Sequence, residues 1–410
     1  MVPLAGWMDV AFLGHLSEIH HLAGVALATV LFNYIYWTFG FLRMGTTGMT
    51  AQAVGRDDAD AILLIGLRNA TVAIGLGMMI LLLQSPIKMI GFTLLSATAE
   101  VKASGQIFYN ALIWGAPATL LNFVLIGWLL GQSQSAQVLL LSIVGNLSNV
   151  GLDYLLIVRS GWQSAGAGIS TAISQYLMLV VGIILVGRKV QFSQIHRLAG
   201  QILNPAALKA TLILNREILI RTFSLISTFA VFTNLSSMFG TEILSTNTLL
   251  LQVVTLAAYF IDGLAFAVET LAGELKGQQN FKELASLVKI SVLTSLSLGL
   301  SFAITFIFFP VPLFGLLTHH AEILQQVKEY VRWLFPVLGF GSIAYLLDGY
   351  FLGLTEGRIL RISVVTALAI GFVPMAIVAC YSRNNHLLWL ALGLFMACRA
   401  TVLSIRLFQV

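Results

Sequence analysis

The stretch Ala165–Val186, AGAGISTAISQYLMLVVGIILV, holds no charged residue and is bounded on its far side by Gly187-Arg188-Lys189. At 1.5 Å per residue such a run reaches about 33 Å as a helix, enough to cross the roughly 30 Å hydrocarbon layer of a bilayer. Similar runs recur near 22–44, 61–83, 105–130, 138–158, 212–239, 243–267, 285–309, 327–352, 359–380 and 387–407. Together they predict eleven full membrane spans. A twelfth is expected from the opening run Val2–Leu13, which covers only about 20 Å and reads as a shortened first helix. It lacks the basic start and small-residue cleavage site of a signal peptide.

Composition agrees with this reading. Apolar residues make up 58% of the 410 and charged residues 10%, against roughly 45–50% and about 25% in soluble domains. The net charge of +5 is spread over few charges, which excludes a nucleic-acid footprint and instead describes orientation bias. Counting Val2–Leu13 as the first span, loops after even spans and the tail carry ten Lys or Arg and loops after odd spans six. Basic residues favour the cytoplasmic side, so both termini are expected there. Cys380 and Cys398 lie in apolar runs without CxxC spacing, so no disulfide or thiolate site is predicted.

The longest polar stretch, Gly187–Thr211, divides the chain near its middle. The expected organisation is an N-terminal lobe 1–187 of six spans, a cytoplasmic linker 188–211 and a C-terminal lobe 212–410 of six spans. The halves echo one another. Gly127-Trp-Leu-Leu-Gly131 resembles Gly349-Tyr-Phe-Leu-Gly353 at an offset of 222 residues, and Thr50–Val54 faces Leu271–Leu275 at nearly the same offset. Parallel repeats of this kind are a recurrent build of secondary transporters, with substrate bound at mid-membrane.

An ionisable group at the bilayer centre costs about 2.5–3.5 kcal/mol on insertion scales, so each one needs a reason. In the first half, Asp9 lies in the opening run, and Asn146, Asn149 and Asp153 fall at i, i+3 and i+7, one face of a helix. A carboxylate with an amide one turn before it offers several oxygens to a small cation, or holds a proton, since burial disfavours a carboxyl's charged form. The same residues can serve as hydrogen-bonding glue between helices.

In the second half, Glu217 and Arg221 stand four apart in the order that favours an ion pair. Asp262 and Glu269 share a face with Tyr259 and Phe266, with Glu269 near the cytoplasmic end of its span, and Asp348 lies deep in its span with no partner within a turn. Arg43 can snorkel to the interface. Phe32, Tyr34, Tyr36, Trp37 and Phe39 could stack a flat organic cation, though aromatics in spans mostly pack or anchor. His15, His20 and His21 share a short outer loop whose spacing suits solvated side chains better than a metal.

Five segments taken together resemble the multidrug and toxic compound extrusion (MATE) transporters, and within them the DinF-like branch. They are Trp7-Met-Asp9-Val-Ala-Phe-Leu-Gly-His-Leu16, Phe41-Leu-Arg-Met-Gly-Thr-Thr-Gly-Met-Thr-Ala-Gln-Ala53, Asn146-Leu-Ser-Asn149-Val-Gly-Leu-Asp153, Asn215-Arg-Glu217-Ile-Leu-Ile-Arg221 and Tyr345-Leu-Leu-Asp348-Gly349. The resemblance implies an all-α membrane protein of two pseudo-symmetric six-helix lobes in a V, exporting small amphiphilic or cationic compounds. Export would be by alternating access, in exchange for H⁺ or Na⁺. It matches Asp9, Asn149, Asp153 and Thr171 to the first-lobe cation site and Asp348 to a carboxylate used in other branches, with Glu217 a loose counterpart of a second.

No cofactor, a small-molecule substrate, contact with membrane lipid, a monomer and the inner membrane are the accompanying expectations. A lipid-linked precursor flippase of the same superfamily is the alternative, and would want a basic central cavity. The major facilitator pattern is missing after the second span, where Gly55-Arg-Asp-Asp58 stands. A membrane-embedded enzyme would need HExxH, GxSxG or an Asp-rich motif, none of which occurs.

Overall fold

The computed structural model describes residues 19–95, 97–318 and 320–407. Its helices are α1 (Ile19–Thr38), α2 (Phe41–Gly55), α3 (Ala59–Leu82), α4 (Gln84–Leu94), α5 (Ala99–Leu112), α6 (Ala116–Gly131), α7 (Ser135–Asp153), α8 (Gln163–Gly187) and α9 (Phe192–Ile202). They continue as α10 (Pro205–Met238), α11 (Thr241–Gly277), α12 (Phe281–Phe308), α13 (Pro310–Phe314), α14 (Ala321–Tyr330), α15 (Leu334–Gly353), α16 (Gly357–Thr366), α17 (Val373–Ser382) and α18 (Asn385–Leu407). Among the described residues there is no strand. A bilayer leaves no water for unpaired backbone groups, and helices satisfy them within each segment.

Several of these join end to end, and eleven stretches among the described residues are long and apolar enough to cross a membrane. They match the eleven spans read from the sequence; the expected twelfth, Val2–Leu13, lies outside the described residues. Ile183, Ile290, Leu293 and Ile370 are more than half exposed, the inverse of a soluble surface and the face a lipid solvent requires. By contrast, the Ala99–Gly131 and Ala321–Gly353 spans are mostly buried, so each is central to its own unit.

The chain separates into two compact units, the first comprising Met1–Thr50 with Asp58–Thr211, the second Ala51–Asp57 with Leu212–Val410. Helix α2 therefore ends within the second unit. The internal repeat is visible in the backbone itself. Asp57 and Ser133 turn through the left-handed region at φ 54° and 59°, and Gln279 and Thr355, each 222 residues on, do so at 59° and 58°. After the first of each pair a helix is capped: the Ala61 N–H donates to Asp58 Oδ1 at 2.9 Å, and the Glu283 N–H to Asn280 Oδ1 at 3.2 Å. This register moves the earlier alignment by one residue, pairing Thr50 with Ala272 instead of Leu271.

Close helix crossings repeat at the same spacing. Gly127 lies against the Arg43 carbonyl in unit 1 and Gly349 against the Ala265 carbonyl in unit 2, where any larger side chain would collide. Tight 3-10 turns at Ile113–Gly115 and Val331–Trp333 precede Pro117 and Pro336, whose missing N–H and ring displace the helical ladder of the turn before. A π segment, Tyr154–Arg159, begins right after Asp153, and another, Ala367–Phe372, sits in the corresponding span of unit 2.

Candidate functional site

Helices α7 and α8 bring the first group of expected residues together in unit 1. Asp153 is fully buried and Asn149 is 1% exposed, one turn earlier on the same face of α7. Opposite them, Ser170 Oγ donates to Asp153 Oδ1. Asn149 Nδ2 donates to Thr171 Oγ1 at 3.2 Å and to Ser170 Oγ at 3.4 Å. The two hydroxyls also reach the Ala167 carbonyl, each at 2.9 Å.

With its amide protons directed at hydroxyls, Asn149 keeps its carbonyl Oδ1 buried, where it accepts no hydrogen bond from any of the described residues. A buried acceptor left so costs roughly 1–3 kcal/mol unless something occupies it. The cluster of Asn149 Oδ1, the Asp153 carboxylate, Ser170 Oγ and Thr171 Oγ1 is a set of hard oxygens, which suits a small hard cation or a proton. The adjoining π segment fits this reading, since single-turn π bulges collect at functional sites.

Asn146, expected on the same face, instead donates to its own helix at the Ser142 carbonyl, 2.6 Å away. Ser170 was missed by the sequence reading, although it adjoins Thr171. Asp9 lies outside the described residues, as does His15. His21 departs from the expected solvated loop: α1 starts at Ile19, and His21 is buried with Nδ1 3.0 Å from Ser164 Oγ and 3.3 Å from Ser104 Oγ. Among the aromatics, Phe32 is buried while Tyr34 and Trp37 are half exposed.

In unit 2 the expected Glu217–Arg221 ion pair gives way to two separate clusters. Glu217 Oε1 accepts from Arg216 at 2.7 Å, and its Oε2 faces Arg361 of α16 at 2.5 Å. Arg221 points away from it and donates to Asp348 of α15, which also receives Arg399 of α18. The four-residue spacing permits a pair within the helix, but Glu217 is held by Arg216 beside it and by Arg361 of α16, and Arg221 by the Asp348 carboxylate of α15. Arg361 belongs to helix α16 and holds a buried carboxylate.

Asp348 thus has two partners, both remote in sequence. Asp262 of α11 is half buried, and its charge acts on Arg221 and Tyr345. Glu269, expected at the cytoplasmic end, is fully buried. Arg399 lies 51 residues beyond Asp348 within another span, and no local spacing signals their pairing.

Eleven apolar spans, buried polar clusters at membrane depth and a chain built as an internal repeat define a multi-pass membrane transporter. The sequence profile of the MatE family matches residues 1–155 and 218–381, and the chain belongs to that family. It is 33% identical over 408 residues to DNA damage-inducible protein F of Escherichia coli (strain K12), covering 98% of this chain and 87% of that one. It is 24% identical over 296 residues to the probable multidrug resistance protein NorM of Acinetobacter baylyi, covering 71% and 65% of the two chains. A crystal structure of a MATE protein in the bent conformation superposes with a TM-score of 0.89 at 18% identity, covering 99% of this chain and 91% of the other. The DinF-like character read from the five sequence segments is upheld by these matches.

Proposed function

We propose that this protein exports small amphiphilic, often cationic organic compounds across the inner membrane in exchange for H⁺ or Na⁺, by alternating access. The observation that carries the proposal is the oxygen cluster of unit 1, in which the Asn149 carbonyl, without a hydrogen-bond partner among the described residues, stands beside the buried Asp153 carboxylate. Relatives named as multidrug resistance proteins support the substrate class. The excess of basic residues in alternate loops supports a cytoplasmic location for both termini, and a monomer suffices for two repeats in one chain.

In this reading Asn149, Asp153 and Thr171, together with Asp9, load the coupling ion. Ser170 links loading to structure, because its hydroxyl proton has two acceptors. With Asp153 ionised it is held between the carboxylate and the Ala167 carbonyl; with Asp153 protonated it falls back on Ala167 alone. The seam between α7 and α8 then has two arrangements that an ion can select, which is what coupling requires.

Two features weigh against a lipid-linked precursor flippase: the carboxylate-centred cluster of unit 1, and the pairing of unit 2's buried guanidiniums with Asp348. Reconstituted protein loaded with a fluorescent organic cation tests the exporter reading under imposed pH or Na⁺ gradients. Asp153→Asn should abolish gradient-driven export while leaving the protein folded. Unchanged uphill movement by that variant would remove Asp153 from the coupling role.

A further inference from the structure

Three helices far apart in sequence converge on one carboxylate oxygen in unit 2. Asp348 on α15 is 2% exposed, Arg221 on α10 7% and Arg399 on α18 fully buried. Both guanidiniums donate through Nη2 to Asp348 Oδ2. Arg399 is further held by aromatic faces, its guanidinium carbon 5.4 Å from the Tyr345 ring centre and 5.6 Å from that of Phe395. Ring faces attract a cation and have little to offer a neutral group.

A guanidinium does not give up its proton in a protein, so Asp348 faces two permanent positive charges. The neighbouring ionisable groups are Asp262, whose charge reaches Arg221, and Tyr345, which lies within reach of all four. Two guanidiniums and two carboxylates form a neutral set when both acids are ionised. Asp348 Oδ1 accepts no hydrogen bond from the described residues, yet a further cation placed there would stand beside two guanidiniums and be repelled in a medium that screens charge poorly.

We infer that Arg221 and Arg399 are built-in cations that occupy, at Asp348, the place a coupling ion would take, so that unit 2 balances its charge internally and ion exchange falls to unit 1. The inference rests on the ion-coupled reading given above, and it assigns the two arginines as positioning residues that fix the charge state of Asp348. Removing the charge of Arg399 should therefore expose Asp348 to ions that the native protein keeps out.

The test uses the purified full-length chain, melted across a series in which NaCl replaces choline chloride at constant ionic strength, and across pH. Arg399→Gln should gain a Na⁺-dependent or pH-dependent shift in melting temperature beyond that of the wild type. Asp348→Asn/Arg399→Gln, which removes one charge of each sign, should lose that added shift and keep the wild-type response. An Arg399→Gln protein whose melting follows the wild type at every Na⁺ concentration and pH overturns the inference. If Arg399→Gln does not fold, the charge-balanced double variant decides alone: retention of the wild-type ion response supports the inference, and loss of that response in a cooperatively melting protein overturns it. Melting reads ion binding without transport, so a wild type that exports nothing would sink the exporter reading alone.

Discussion

Gly55 and Gly277 pack reciprocally within unit 2: a methyl added to Gly55 would lie 3.0 Å from the Gly277 Cα, and one added to Gly277 would lie 2.9 Å from the Gly55 Cα. The same added methyls would collide with the carbonyls of Glu274 and Gln52 respectively. These two pairs are themselves related by 222 residues, so the contact is one repeat element meeting its own counterpart. It explains why Ala51–Asp57 groups with unit 2.

Because backbone stands on both sides of this crossing, neither glycine can be enlarged cheaply. Gly55→Val and Gly277→Val should each destabilise by about 1–3 kcal/mol, the usual cost of overpacking, read as a lower melting temperature in detergent. Gly263→Ala is the control, since a methyl there meets nothing within 4 Å and alanine favours a helix by up to about 1 kcal/mol over glycine. Valine variants that melt at or above the wild type would refute the packing argument.

The repeated caps make a second, symmetric prediction. Asp58 and Asn280 each hold the first turn of an equivalent helix, α3 and α12. Asp58→Ala and Asn280→Ala should therefore cost similar amounts, about 0.5–2 kcal/mol, in denaturant or thermal melts. A large loss for one and none for the other would mean that the two turns, though alike in φ, are not alike in load.

Much of this architecture was legible because a bilayer writes a strong signal. Runs such as Ala165–Val186 fix the spans by length alone, and the shared spacing of Gly127 and Gly349 betrayed the repeat. On the first-half site, periodicity placed Asn149 and Asp153 on one helix face. What it could not give was the identity of the helix across that face, which is why Ser170 was overlooked and Asn146 included. The same limit operated in unit 2. Glu217 and Arg221 satisfied a rule for neighbours within one helix, but Arg361, Asp348 and Arg399 arrive from elsewhere in the chain, and pairing between helices depends on packing angles that no local pattern records. The burial of His21 was hidden for a simpler reason: its helix begins a turn earlier than the apolar run suggests.

The two arginine clusters of unit 2 should respond differently to loss of charge. Arg361 is 36% exposed at its side chain, and Glu217 retains Arg216 when it is removed, so Arg361→Met should cost no more than about 1 kcal/mol. Arg399 is fully enclosed against Asp348, and Arg399→Met should cost about 3–5 kcal/mol, the penalty of breaking a buried pair from one side. Melting curves of the two variants compare them directly. Equal small losses would show that water reaches Asp348 and compensates its charge.

The oxygen cluster of unit 1 yields the prediction closest to function. Asn149→Leu keeps the branching of the side chain at Cγ but removes the carbonyl in the cluster that accepts nothing from the described residues. Folding should survive, because Ser170 and Thr171 keep their hydrogen bonds to the Ala167 carbonyl. Ion loading should not, because the site loses an oxygen ligand. A lost contribution of about 1.4 kcal/mol corresponds to a tenfold change in affinity, so the concentration of driving ion needed for half-maximal export should rise by about that factor or more, while Asn149→Asp, which keeps an oxygen there, should be affected less. Export by Asn149→Leu with an unchanged dependence on the driving ion would show that this carbonyl takes no part in loading it.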